Sequence, residues 1–312
     1  MSRTGRPDSP TVPPRRRSTA PGSIPPTIGP GTVLEGKYEL VEELGEGAMG
    51  VVYLGKDVQL QRSVAIKFIQ PDMVRSDEAH ERFLHEARAM ARVKHVNVVD
   101  IYAYGELART PYFVMEYVRG PTVYDWLEQH GRPHLSIDEA IGILDQTCRG
   151  IAAIHAAGAV HRDLKPTNVL IGPAFRVCVM DLGLSKVLDR PASAPKDTVS
   201  GTPAYMAPEV VMGTPLSGAL EQQADVYALG VMAFEMVTGR LPFIGKHAAH
   251  MILRHIEDDP VPPSDVADVP KPFSELILRL MSKNPGDRYT DGRDLIQALT
   301  RVRESIRGVK TP

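Results

Sequence analysis

Apolar and polar positions divide the chain into three zones. From residue 1 to about 36 large apolar residues are sparse, while Pro, Ser, Thr and Arg dominate. Such a stretch buries too little surface to offset its ordering entropy, so a disordered tail is expected. From Tyr38 onwards, short β-branched and aromatic runs alternate with polar turns. Residues 38–41, 51–54, 64–69, 98–104 and 112–117 predict a small antiparallel sheet. One helix interrupts it over residues 76–93. Ser76 is its candidate N-cap, Asp77 and Glu78 suit the positive end of the helix dipole, and Phe83, Leu84, Ala87, Met90 and Ala91 form its apolar stripe. Arg119-Gly120-Pro121 then breaks the pattern, and a lobe boundary falls there.

The third zone is mainly helical. Ser136 and Glu139 form a capping box, and Ile137, Ile141, Leu144, Cys148, Ile151 and His155 recur at alternating spacings of four and three. Gly158 is the expected stop. Residues 169–171 and 177–180 predict two short buried strands. The segment 225–234 is apolar almost all round, as in a buried core helix, and too short to span a membrane. Helices are expected over 247–256, 273–281 and 292–306, with a flexible C-terminus from 307 to 312.

Composition narrows the function classes. The 312 residues are 43% hydrophobic with a formal net charge of -2. That is enough chain for two lobes with cores, and it lacks the basic footprint of nucleic-acid binding. Arg15-Arg16-Arg17 reads as part of a solvated tail. The two cysteines, Cys148 and Cys178, lie within apolar patterns, so a reducing compartment fits better than a disulfide framework. No apolar run reaches bilayer length and no apolar signal core opens the chain, so a cytoplasmic location is expected.

The chemistry concentrates at His161-Arg162-Asp163-Leu164-Lys165-Pro166-Thr167-Asn168. This loop joins a buried helix to a buried strand, so its polar groups rest on a rigid base. Asp163 can accept a proton, Lys165 can meet negative charge and Asn168 offers an oxygen to a metal ion. Gly45, Gly47 and Gly50 form a G-x-G-x-x-G pattern. With strands on both sides it fits a hairpin laid over phosphates better than a dinucleotide site, which needs a helix opening at the third glycine. Glu86 sits beside the apolar stripe of its helix and calls for a cationic partner or water.

In order along the chain these blocks, with Val64-Ala65-Ile66-Lys67, Asp181-Leu182-Gly183, Ala207-Pro208-Glu209, Asp225 and Arg288, resemble eukaryotic-type (Hanks-type) Ser/Thr protein kinases. The resemblance runs from residue 38 to about 303, and the wording of the blocks is most similar to bacterial members. It implies an α+β, two-lobe fold: a small antiparallel β N-lobe with one helix (37–118) and a larger, mainly helical C-lobe (119–306). It also implies transfer of the ATP γ-phosphoryl group to Ser or Thr hydroxyls of protein substrates, with Mg²⁺ as cofactor and Mn²⁺ as an alternative. A transient homodimer is compatible with it.

Residue by residue, the resemblance gives Asp163 the acceptor hydroxyl, Lys165 the γ-phosphate, and Lys67 the α and β phosphates with Glu86 as its partner. Asn168 and Asp181 would hold the metal. Leu44, Gly45, Gly47, Gly50, Val52, Ala65, Met115 as gatekeeper, the backbone of Glu116 and Val118, and Leu170 would surround the nucleotide. Met90, Ile101, His161 and Leu182 would stack between the lobes. Asp225 would anchor the catalytic loop, Glu209 would pair with Arg288, and Thr202 would contact Asp163 and Lys165. Arg162 would wait unpaired for a phosphate on Thr198, or failing that Ser200. Two departures stand out: Leu182 replaces the usual Phe, and His95-Val96-Asn97 replaces His-Pro-Asn. A pseudokinase is the rival reading, but it predicts loss of Lys67, Asp163, Asn168 or Asp181, and all four are present. A small-molecule kinase is disfavoured by the Ala207-Pro208-Glu209 block.

Overall fold

The computed structural model describes residues 24–25, 27–47, 50–71, 77–129, 134–181, 203–215, 218–290 and 292–308. Its first lobe is an antiparallel sheet in the order β1-β2-β3-β4-β6-β5. The strands are β1 (Val33–Leu34), β2 (Tyr38–Gly47), β3 (Gly50–Asp57) and β4 (Arg62–Ile69), followed after helix α1 (Asp77–Ala91) by β5 (Ile101–Leu107) and β6 (Thr110–Glu116). Alternation sends Ile69 and Phe113 toward Phe83 on α1, while Tyr53, Ile66, Phe68, Tyr112 and Val114 face the other way. Gly50 has φ +148°, and a Cβ there would come 1.8 Å from the Phe68 carbonyl oxygen. A side chain at that point would push β3 off β4.

The outward face of the sheet is covered by the segment expected to belong to the tail. Ile24, Ile28 and Leu34 are 3%, 1% and 1% exposed and pack with Tyr53, Phe68 and Tyr112. The Tyr53 hydroxyl donates to Ile28 O at 3.2 Å, and the Tyr112 hydroxyl donates to Glu35 Oε1 at 2.9 Å. The expected boundary at residue 36 is therefore corrected: residues 24–25 and 27–36 belong to the folded lobe, while residues 1–23 and 26 lie outside the described ones. Composition averaged over the whole stretch hides three apolar residues whose partners are far along the chain.

The strand expected over 98–104 is also divided. Val98 bridges to Val179 of the other lobe and Val99 N donates to Val179 O, and only from Ile101 does the run join the sheet. One apolar run serves two partners, which periodicity alone does not reveal.

In the second lobe α2 (Val123–Gln129) was not foreseen in the sequence. Thr122 caps its start, with Oγ1 accepting from Asp125 N and donating to Asp125 Oδ2. Helix α3 (Ile137–Ala156) begins with the expected capping box, and Gly158 with φ +76° follows its end. The hairpin of β7 (Val169–Ile171) and β8 (Val177–Val179) comes next. After it lie α4 (Pro208–Val211), the buried α5 (Ala219–Thr238), α6 (Ala248–Glu257), α7 (Lys271–Leu280) and α8 (Gly292–Gly308). Residues 307 and 308, expected in a flexible terminus, complete the last turn of α8, and 309–312 lie outside the described residues. Among the described residues no helix is long and apolar enough to cross a membrane.

Candidate active site

The loop 161–168 hangs from one buried carboxylate. Asp225 on α5 is 1% exposed; its Oδ2 accepts from His161 N at 2.9 Å and its Oδ1 from Arg162 N at 2.8 Å. His155 Nε2 of α3 lies 2.8 Å from Oδ2. Burial alone would push this carboxyl up, but the hydrogen bonds and charges of His155, with His161, outweigh it and hold the group below the ordinary carboxylate range. The two amide bonds fix Arg162 at φ +64°, a left-handed conformation uncommon for a side chain of this size. His161 is fully buried, with Nε2 2.9 Å from Met180 O and Nδ1 accepting from Asp163 N at 3.3 Å. Both its nitrogens are used by backbone, so it orients the loop rather than handling substrate protons.

Next along the loop, Lys165 Nζ lies 2.9 Å from Asp163 Oδ2. Asn168 Nδ2 donates to Asp163 O at 2.7 Å and to Asp163 Oδ2 at 3.0 Å. Its amide nitrogen is thereby committed to the loop, leaving Oδ1 as an oxygen donor. Across the cleft Lys67 on β4 is 5% exposed, and its Nζ lies 2.7 Å from Asp181 Oδ1. The expected partner Glu86 lies on α1, but its side chain is outside the described residues. The partner seen for Lys67 is thus the carboxylate expected to hold the metal.

Lys67, Asp163, Lys165, Asn168 and Asp181 face one cleft of about 750 Å³ between the lobes. Leu44, Gly45, Gly47, Gly50, Val52, Ala65, Met115, Glu116, Val118 and Leu170 line it with Lys67, Asp163, Lys165, Asn168 and Asp181. Its walls carry both apolar and charged side chains. A Cβ at Gly45 or Gly47 would meet nothing within 4 Å, so those glycines leave the backbone of β2 open to a ligand. Met115 also lines a small cavity of about 20 Å³ behind the cleft, with Met90, Ile101 and Phe113, and so stands between the two spaces. Tyr124 and Asp125 at the start of α2 complete the outer rim. Sequence reasoning missed them; the Thr122-x-x-Asp125 cap directly after the linker was the available signal.

Some expectations fall elsewhere. Glu209 and Arg288 form the expected buried pair, with Nη1–Oε1 at 2.7 Å and Nη2–Oε2 at 2.9 Å. Arg162, expected to wait for an anion, already has one: its Nη2 donates to both carboxylate oxygens of Glu221 at 3.1 Å. Glu221 lies in the first turn of α5, four residues before Asp225, where the anchored loop meets it. Leu182, Thr198, Ser200 and Thr202 lie outside the described residues.

Residues 38–301 match the model of the protein kinase domain family. The chain is 38% identical over 282 residues to the serine/threonine-protein kinase PknA of Mycobacterium tuberculosis, covering 89% of this chain and 64% of that protein. It is 36% identical over 279 residues to PknB of Mycolicibacterium smegmatis, covering 87% of this chain and 44% of that protein. It thus spans less than two-thirds of either relative. In fold it is similar to the crystal structure of the Mycobacterium tuberculosis PknI kinase domain, with a TM-score of 0.69, 24% identity, and coverage of 88% of this chain and 98% of that one.

Proposed function

Because the chain belongs to the protein kinase domain family, we propose that it transfers the γ-phosphoryl group of ATP to Ser or Thr hydroxyls of proteins. The observation that carries this reading is the cleft. It brings Val52 and Ala65 of the N-lobe strands and Leu170 of the C-lobe hairpin together with Lys67, Asp163, Lys165, Asn168 and Asp181. An adenine base fits among Val52, Ala65 and Leu170, with the backbone of Glu116 and Val118 along its polar edge. Asp125 at the rim suits ribose hydroxyls.

Phosphoryl transfer asks little covalent chemistry of the protein and much positioning and charge compensation. The open backbone of β2 at Gly45 and Gly47 covers the phosphates, and Lys67 offsets charge on the α and β groups. Asp163 orients the acceptor hydroxyl and takes its proton, while Lys165 meets the γ-phosphate. Asn168 Oδ1 and the Asp181 carboxylate are hard oxygen donors and fit Mg²⁺, which supplies further neutralisation of phosphate charge when bound. Lys67 and Asp181, paired here at 2.7 Å, would then face the phosphates and the metal respectively.

Autophosphorylation of the segment between Asp181 and Glu209, at Thr198 or Ser200, belongs to the same reading. A phosphate there shares Arg162 with Glu221, which weakens the switch expected from an unoccupied arginine.

Purified protein with labelled ATP, Mg²⁺ and a generic protein acceptor tests the function. Label on Ser or Thr, absent with Asp163→Asn, is the expected result. A protein that binds ATP yet transfers no label to itself or to any acceptor is a nucleotide-binding scaffold, and this reading falls.

A further inference from the structure

Arg176 lies outside the cleft, between the two strands of the C-lobe hairpin. Each of its three guanidinium nitrogens donates a hydrogen bond. Nε donates to Val96 O at 2.8 Å, Nη2 donates to Glu116 Oε2 at 3.0 Å, and Nη1 donates to Glu116 Oε1. Three chain segments from both lobes therefore end on one planar cation: the loop after α1, the last residue of β6, and the β7–β8 hairpin. A guanidinium suits this junction because its fork meets a carboxylate in two places while its third donor stays free for a carbonyl.

The linker 117–122 passes along this hairpin. Its far end is tied to β7 by backbone: Ile171 N donates to Pro121 O at 2.8 Å, and Thr122 bridges to Leu170. Midway, a Cβ on Gly172 would come 2.8 Å from Val118 Cγ1, so linker and hairpin are in close contact. At its near end Glu116 N donates to Asp100 O at 2.8 Å, which holds it to the N-lobe. The tie from that near end to the hairpin is the Arg176–Glu116 ion pair. Leu170, which lines the cleft, sits on the same hairpin, paired across it with Cys178.

We propose that Arg176 is a positioning residue for nucleotide binding: its ion pair with Glu116 holds the linker at the distance from Leu170 that a purine base fills. This rests on the kinase reading above. The side chains are 32% and 21% exposed, so solvent screens the pair and its share of global stability is small. A local geometric role is distinguishable from a stabilising one for that reason.

The test uses the full chain carrying Arg176→Gln, the milder Arg176→Lys, Glu116→Gln, and the Arg176→Gln/Glu116→Gln double variant. Readouts are the Kd of Mg²⁺-ATP, KM for ATP, kcat at saturating ATP, and the melting temperature without nucleotide. Arg176→Gln should raise Kd and KM about 3- to 10-fold, with kcat within about 2-fold of wild type. Arg176→Lys should fall between, since it keeps the charge but loses the fork. The double variant should be no weaker than either single one. Unchanged Kd in Arg176→Gln and Arg176→Lys overturns the proposal, whether or not the melting temperature drops, and so does full additivity in the double variant. Failure of the wild type itself to bind ATP overturns the kinase reading and this inference together, whereas intact wild-type binding with indifferent variants overturns this inference alone.

Discussion

Asp163 and Asn168 hold each other through the Asn168 amide nitrogen, so the proposed base and the proposed metal-binding oxygen are set by the same two hydrogen bonds. Asp163→Asn keeps the shape and removes the proton acceptor. It should lower kcat by at least about 10²-fold while leaving ATP affinity and melting temperature near wild type, as steady-state kinetics and calorimetry would show. Arg288 and Glu209 carry stability instead. With side chains 0% and 5% exposed, removing one leaves the other charged in the core. Arg288→Ala should cost about 3–5 kcal/mol in urea unfolding. Asp225 gives an acid signature. Its folded pKa lies below the ordinary value, so its contribution is complete above about pH 4 and fades as pH falls through the folded pKa. Unfolding midpoints measured downward from pH 5 should drop more steeply for wild type than for Asp225→Asn. The sequence pointed to Asp163 and Asn168 because their motif is local and dense, and the family resemblance added Asp225. It did not supply the Glu221 partner of Arg162, since a carboxylate 59 residues away carries no local mark.

Among the elements, residues 24–25 and 27–36 behave as a strap across the outer face of the N-lobe sheet. Deleting residues 1–36 should lower the melting temperature, because the deletion uncovers Tyr53, Phe68 and Tyr112. Ile28→Ala alone should cost about 2–4 kcal/mol by opening a cavity under the strap. Helix α6 carries a different burden. Burial first, then the charge of Lys283, pushes His255 down to about 4. A histidine kept neutral in the folded state takes up its proton on unfolding at a higher pH. Stability should therefore fall as pH drops from about 6.5 toward 4, by up to about 3 kcal/mol. His255→Gln, which does not titrate, should flatten that slope in a pH series of denaturant melts. Element type was legible wherever periodicity was long, as in α3 and α5. It failed where a run served two partners, as at Val98 and Ile101, or where a short helix such as α2 depends on its cap.

For the molecule as a whole, two lobes share one cleft, so ligand binding should stabilise both at once. Mg²⁺-ATP at about 100 times its Kd should add about 2.7 kcal/mol, raising the melting temperature by about 5–10 °C for a domain of this size. Asp181→Asn should lose the Mg²⁺-dependent part of that rise, which a thermal-shift series with and without metal would read. What the chain determined by itself is what neighbouring residues decide. Caps, apolar stripes and glycines set the elements, the dense loop 161–168 pointed to Asp163 and Asn168, and the family resemblance added Lys67 and Asp181. Tertiary structure alone decided the pairings. Lys67 meets Asp181 across 114 residues, Arg176 meets Glu116 across 60, and the strap finds Tyr53 across 25. The physical reason is that a salt bridge or a buried contact depends on where two backbones lie relative to each other. That relation is set by the packing of whole elements, and no spacing within one segment encodes it.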